Sequence, residues 1–312
     1  LPVDSRLAQA TQLKLRKVLI LHKKSTFQIQ AIEHREARFI RLLEEKSEVV
    51  TRVKLAHAEH VQTLHHLESE LRKRNIEFQS IARAELKDRV TDIDMMIAVG
   101  GDGTFLDASH SLEDIPLLGV NSSSSSSFGH FCLANQNNLS QILDDIESDS
   151  LEPSSLLRLD LILNGSTLPE LVLNEVLISH SNPAATSRYF IGLNEDDEEE
   201  QRSSGLWVGT AAGSTGSLRS AGAPVMKIVD YQYQYLVREP CIRPKQSFKH
   251  LGGILNHDQA LEVKSQMRTG RIYIDGQHID YQFSLGDSLS IRASDMSLKC
   301  YVDPSVNDIF ST

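Results

Sequence analysis

Hydrophobic positions fall into two regimes along this chain. Up to about residue 150, short unbroken apolar runs alternate with stretches whose apolar residues recur every third or fourth position. Residues 17–21 (KVLIL), 76–81, 95–99 and 117–120 read as buried strands. Residues 26–43 and 49–74 read as helices, the second with Val61, Leu64, Leu67 and Leu71 on one stripe and His65, His66, Glu68 and Arg72 off it. A short helix is expected over 85–90. A longer one is expected over 136–147, with Leu139, Ile142, Leu143 and Ile146 facing inward. Strand, helix, strand, then a glycine-rich turn into a helix is the order of a parallel sheet covered by helices.

From Leu156 the helical period fades, and strand-like runs take over: LLRLDLIL, LVLNEVLIS, SRYFIGL, GLWVGTA, RIYIDG and SLSIRA. Residues 227–237 are expected to return briefly to helix. The acidic run at 195–200 with Asn194 before it reads as a solvated hairpin tip in preference to a calcium site, since it lacks spaced ligands. The fold class is therefore an α/β domain (14–150) followed by an all-β domain (151–302), with ligand expected in the cleft between them. Residues 1–13 read as a loose arm, and 303–312 as a tail packing back on the first domain.

Composition narrows the partners. A net charge of −10 argues against nucleic acid and against an anionic membrane surface. The apolar runs are too short to span a bilayer, and no secretory signal is visible. Cys132, Cys241 and Cys300 are widely spaced, the usage of a reducing compartment, so a cytoplasmic location is expected. An organellar one stays open, because the sequence begins at Leu1 and a targeting segment would lie upstream. His57, His60, His65 and His66 read as a solvated helix face in preference to a metal cluster.

The chemistry centres on Gly100-Gly101-Asp102-Gly103-Thr104, directly after the 95–99 run. The glycines remove Cβ atoms that would hold a ligand off the backbone, and their N–H groups suit a phosphate. Thr104 is expected to cap the helix that follows, with Phe105 and Leu106 toward the sheet. A carboxylate inside such a nest repels phosphate unless it binds a hydroxyl or a metal. A hydroxyl acceptor beside a phosphoryl donor describes a kinase site. The motif is neither the Rossmann nor the P-loop pattern, and turn chemistry alone would also explain it. The six serines 122–127 follow a strand of the sheet, so a mobile active-site loop is preferred to a linker.

Four further pieces line up with this turn: Gly119-Val120-Asn121, Asn174-Glu175, the run Thr210 to Ser217 (TAAGSTGS) and Asp275-Gly276. Together they resemble the NAD kinase family over about residues 17–301. The phrases RSSGLWVGTAAGSTGSLRSAG and VREP resemble its plant NADH kinase and mitochondrial branch. The resemblance implies transfer of the ATP γ-phosphoryl group to the 2′-hydroxyl of the adenosine ribose of NAD+ or NADH, with Mg2+ accompanying ATP and no metal-ligating residues of the protein's own. It implies that Asp102 accepts or orients the hydroxyl and that Gly101, Gly103, Thr104 and Phe105 surround the phosphates. Asn121 and His130 would stand at the ligand edge, Asn174 and Glu175 would hold adenine and ribose, and Thr210, Thr215, Gly216 and Ser217 would line the same pocket. Asp275 is first a hairpin-turn residue and second a ligand contact. Homodimers or higher homo-oligomers are usual in such a family.

The chain departs from that pattern in places. Serines replace a loop that usually carries Asp and Pro. Arg202-Ser203-Ser204-Gly205 stands where bacterial relatives often have Arg-Gly-Asp-Gly, and Ser217 replaces a common Tyr. Two other readings stay open: a lipid kinase, which shares the glycine motif, and a non-catalytic NAD(P)-binding homologue.

Overall fold

A computed structural model describes residues 15–310 except 126, 194–196, 243, 245 and 246. The expected arm at 1–13 and part of the acidic tip lie outside the described residues. In chain order the strands are β1 (Lys17–His22), β2 (Glu77–Ala82), β3 (Met95–Gly100), β4 (Leu117–Asn121), β5 (Ala134–Asn135), β6 (Ser154–Leu156), β7 (Leu159–Leu163), β8 (Ser166–Thr167), β9 (Glu175–His180) and β10 (Ser187–Gly192). There follow β11 (Glu199–Ser203), β12 (Gly205–Thr210), β13 (Gln232–Arg238), β14 (Gly252–Asn256), β15 (Ala260–Ser265), β16 (Gly270–Ile274), β17 (Ile279–Phe283), β18 (Ser288–Ala293) and β19 (Leu298–Tyr301). The helices are α1 (Ala37–Glu44), α2 (Glu48–Lys73), α3 (Asp102–Ser109), α4 (Leu139–Glu147) and the single turn α5 (Ser217–Ser220).

The first sheet has the order β2-β1-β3-β4-β19-β6, parallel except at β6, with β5 also pairing β4. Strand β3 is central and buried along its whole length, which is why its sequence is apolar without alternation. Helices α2 and α4 cover one face through Leu67, Leu71, Leu139, Leu143 and Ile146. The other face packs on Phe105, Leu106 and Ala108 of α3, and the same core takes in Leu173, Ala212 and Ile228 from beyond residue 150, so the two halves share a core. Strands β19 and β6, both from beyond residue 150, complete this first sheet. The remaining strands form two antiparallel sheets, β11-β10-β15-β18-β7-β8 and β14-β13-β12-β9-β16-β17. They stack as a sandwich whose core alternates along each strand, as with Val176 and Ile178 against Leu261 and Val263.

Several expected elements differ. The helix over 26–43 is broken: a π-helical segment (Gln28–Glu33) ends before Arg35, whose φ is 49°, and α1 starts anew with the Glu36 carboxylate accepting from the N–H groups of Arg38 and Phe39. The helix over 85–90 is only a 3-10 turn at Arg83–Glu85, after which the backbone is held instead by the Val90 N–H to the Ser111 carbonyl. Residues 227–237 do not return to helix. From Gln232 they form β13, whose Tyr233, Tyr235 and Val237 enter the sandwich core at every second position. Helix α4 begins at Leu139 rather than 136.

Candidate functional site

The site is built where β1, β3 and β4 end. Strand β1 lies between β2 and β3, so the strand order reverses beside β3, and ligands gather at such a switch point. Gly101 is the N-cap of α3, correcting the expectation that Thr104 caps it. The first internal bonds of the helix run from Thr104 and Phe105 to the Gly101 carbonyl. The N–H groups of Asp102 and Gly103 therefore stand ahead of the helical ladder, where the helix dipole favours an anion. Thr104 folds back on the strand end, so close that a Cβ on Gly100 would lie 2.2 Å from its Oγ1. Phe105 is wholly buried and stacks on Phe131 at 5.1 Å, which places it in the core beneath the site rather than at a ligand.

Asp102 is the first residue of the helix, and its Oδ1 accepts the N–H of Phe131 at 2.9 Å. It lines a cavity of about 500 Å3 with Lys23, Lys24, Ile29, Arg83 and Ser127. Lys24 pairs with Glu33 at 3.0 Å and Arg83 with Asp107 at 2.8 Å. Burial holds the Lys23 ammonium below the ordinary lysine range, against the opposing pull of Cys132 and Glu59. Three cations around a helix mouth make this cavity receptive to an anion. The sequence reading missed all three. For Lys23 and Lys24 the signal was present in the basic residues that flank β1, whereas Arg83 follows β2.

The serine run is closed by hydrogen bonds rather than left as a free linker. Asn121 donates from Nδ2 to the Ser127 carbonyl at 2.9 Å and accepts the Ser123 N–H at 3.1 Å, so this residue organises the loop. Ser122 is buried, with its Oγ 2.7 Å from His60 Nδ1, and Glu59 takes Ser124 and Ser125. His60 is therefore not on a solvated face: it is buried, and burial lowers its pKa to about 4, keeping the ring neutral. His57 is half-buried, 2.8 Å from Ser25 Oγ and stacked on Phe27.

The second half contributes a smaller cavity of about 350 Å3, lined by Glu175, Leu177, Trp207, Ser217, Tyr273, Gly276 and Gln277. Its apolar walls suit a flat ring. Trp207 sits inside the run GLWVGTA and Tyr273 inside RIYIDG, which signal strands and not ligand contacts. The Asp275 carboxylate is buried in the turn after β16. It accepts the N–H groups of Leu173, Asn174 and Glu175 at 2.8–3.0 Å, while His110 Nε2 stands at 3.3 Å. It thus shapes the Asn174-Glu175 backbone. Burial raises its pKa, with His110 and the three N–H groups opposing.

Glu175 lies beside it, and its Oε2 is buried without a hydrogen-bond partner among the described residues. Burial first, then the charge of Asp275, pushes Glu175 up to about 8. Thr210 is buried and donates its hydroxyl to the Leu173 carbonyl at 2.5 Å, another structural tie. Gly213 sits so close to Asn174 that a Cβ would lie 2.2 Å from the Asn174 carbonyl oxygen, and one on Gly216 would lie 3.7 Å from Glu175 Oε2.

One tripeptide joins the cavities. Gly129, with φ 65°, turns the chain so that Phe131 holds Asp102 while His130 Nε2 reaches Thr215 Oγ1 at 3.4 Å. Burial lowers the His130 pKa, against the Asp102 charge and the neighbouring Asn307 amide. Asp102, His130, Thr215, Gly216, Asn174 and Glu175 are thus linked in space, whereas Phe105, Thr210 and Asp275 support the site from behind.

A cationic helix mouth and an apolar cavity joined across an interdomain groove define a nucleotide-binding protein. Residues 18–150 match the family described as the ATP-NAD kinase N-terminal domain. The chain is 37% identical over 262 residues to a probable NADH kinase of Oryza sativa subsp. japonica, covering 77% of this chain and 80% of that one. It is 35% identical over 272 residues to an NADH kinase of Arabidopsis thaliana, covering 77% and 83%. The chain belongs to the NAD kinase family. Its fold is shared with an NAD kinase from Archaeoglobus fulgidus solved with ATP (TM-score 0.67, 17% identity, 94% of this chain and 96% of that one). It is shared as well with a yeast NADH kinase solved with NADH (TM-score 0.66, 14% identity, 96% and 86%). Among the described residues no helix is long and apolar enough to cross a membrane.

Proposed function

We propose that the chain is an ATP-dependent NAD(H) kinase. It transfers the γ-phosphoryl group of MgATP to the 2′-hydroxyl of the adenosine ribose of NAD+ or NADH, giving NADP+ or NADPH and ADP. The observation that carries this reading is the placement of Asp102 at the mouth of α3, on the rim of the cavity shared with Lys23, Lys24 and Arg83. The new bond joins the ribose oxygen to the γ-phosphorus as the bridge to the β-phosphate breaks, and the hydroxyl proton passes to Asp102. Phosphoryl transfer leaves the protein little covalent work, so alignment and charge neutralisation supply the rate.

Phe131 holds Oδ1 of Asp102, leaving Oδ2 for the hydroxyl. Lys23, Lys24 and Arg83 offset the triphosphate charge, and magnesium enters as part of the ATP substrate. Glu175 and Asn174 receive the adenosine half against Leu177, Trp207 and Tyr273. Purified protein given MgATP should phosphorylate NAD+ or NADH, and Asp102→Asn should cut turnover by about 10²–10⁴-fold with an unchanged melting temperature. Wild-type protein inert toward both dinucleotides would refute the reading.

The partner we infer is a second copy of this chain. Tyr273, Leu177, Trp207 and Leu236 stand in register across four strands on the outer face of the β9-β12 sheet, all half-buried. A two-fold mate seated on this row would cover the cavity that three of these side chains line, so the dimer would close the adenosine site. Sedimentation of the wild type beside Trp207→Glu tests it: a monomer in both would exclude the dimer.

A further inference from the structure

The segment after β19 reaches the site from the far end of the sequence. Asn307 is completely buried in the turn that follows β19. Its Nδ2 donates to the Ala211 carbonyl at 3.1 Å and to the Met226 carbonyl at 2.7 Å, and lies 3.4 Å from Ser214 Oγ. Ala211 and Met226 stand at the two ends of the excursion that carries Gly213, Thr215, Gly216 and Ser217. One amide therefore closes the base of that loop. Ser214 completes the closure, donating to the Ala211 carbonyl at 2.7 Å and accepting the Met226 N–H at 3.0 Å. On its other side the Asn307 amide stands beside His130, which itself meets Thr215. Three residues further on, the Phe310 ring lies 6.0 Å from His130 and 5.9 Å from Phe128, with the Arg219 guanidinium 5.1 Å from its centre.

We propose that Asn307 is a positioning residue for the dinucleotide. It fixes the 211–226 loop against His130, and so sets where Gly213 meets Asn174 and where Gly216 and Ser217 border Glu175. Its bonds to Ala211 and Met226 lie on the dinucleotide side. Of the cations around the other cavity, Lys24 and Arg83 are held by Glu33 and Asp107. The role is therefore selective: it acts on dinucleotide affinity and leaves ATP affinity alone. Phe310 reinforces it by holding the same segment to His130 and Arg219. The inference rests on the NAD(H) kinase reading for its substrate.

The test is Asn307→Asp, which keeps the size and puts an acceptor where two carbonyls need a donor, with the milder Phe310→Ala beside it. KM for the dinucleotide should rise about tenfold in Asn307→Asp, the loss of one to two hydrogen bonds, and about threefold in Phe310→Ala, while KM for MgATP stays within twofold. Calorimetric titration of NADPH should show the same loss of affinity. A merely structural role would lower the folded fraction and kcat and leave both KM values of the folded enzyme in place. Should Asn307→Asp not fold, Phe310→Ala alone decides. Unchanged dinucleotide KM and affinity in the folded variants, or equal rises for both substrates, would overturn the proposal. Because calorimetry needs no turnover, a catalytically silent wild type would refute the activity without deciding the positioning role.

Discussion

Replacing Glu175 by Gln should abolish a pH-dependent loss of stability that the wild type carries. Glu175 is buried, its Oε2 is unpartnered among the described residues, and Asp275 lies beside it. Of the two carboxyls, Asp275 is the better anion, since three N–H groups and His110 face it. The proton therefore belongs on Glu175, whose pKa is pushed up to about 8. A carboxyl with a raised native pKa binds its proton more tightly folded than unfolded. Its contribution is most favourable below the unfolded value and is lost as pH rises toward 8.

With an unfolded value near 4.5, the linkage relation gives a loss of about 2 kcal/mol between pH 6 and pH 8. Gln carries no proton to lose, so groups that titrate in both proteins cancel in the comparison. The assay is urea unfolding of wild type and Glu175→Gln at pH 6, 7 and 8, followed by fluorescence of Trp207, the single tryptophan, which lines the same cavity. The gap between the proteins should widen by about 2 kcal/mol in favour of Gln toward pH 8. Parallel stabilities across that range would show Glu175 already ionised at pH 6 and refute the assignment of the proton.

Three further substitutions separate the parts of the molecule. Arg158 is completely buried and donates to the carbonyls of Ser109, Leu112, Met296 and Ser297, tying the end of α3 to the turn before β19. Arg158→Met leaves those carbonyls without their donor and should cost about 3–5 kcal/mol in urea unfolding, at about 1–3 kcal/mol for each buried group left unsatisfied. Gly213→Ala drives a Cβ into the Asn174 carbonyl, so dinucleotide affinity measured by calorimetry should fall about tenfold or more, an overpacking cost of about 1–3 kcal/mol. Lys23→Met should raise KM for MgATP about tenfold or more, the worth of a charge-assisted hydrogen bond, with dinucleotide KM little changed in the same steady-state assay.

What the sequence makes legible is local. The β3–α3 junction announces itself because a strand buried on both faces must be continuously apolar, and the turn beyond it must be glycine to let Thr104 fold back on Gly100. The sandwich strands are legible where one face alternates cleanly, as in β16 and β18. Strand β13 is not, because QYQYLV mixes polar and aromatic residues and its tyrosines are buried by partners distant in sequence, such as the Gln259 carbonyl for Tyr233. His60 reads as exposed because helical position says nothing of the serine loop that covers it. Asp275, Asn307 and Arg158 act by side-chain bonds to backbone groups far along the chain, and such bonds leave no periodic trace.

These long-range ties explain how two cavities from different halves of the chain act on one reaction. A phosphoryl transfer needs donor and acceptor aligned to a fraction of an ångström, yet the cavity we assign to the triphosphate is set by the first sheet and the one we assign to adenosine by the sandwich. The only covalent path between Asp102 and Glu175 is long, so alignment must come through contacts. They run from Asp102 to the Phe131 N–H, through His130 to Thr215, and from Gly213 to the Asn174 carbonyl. Each element of that path is clamped from behind: Asn121 and α2 hold the serine loop, Asp275 holds Asn174 and Glu175, and Asn307 holds the 211–226 loop. Loosening any clamp should therefore cost affinity or alignment before it costs the fold, and which substrate suffers tells which side of the 129–131 bridge the clamp serves.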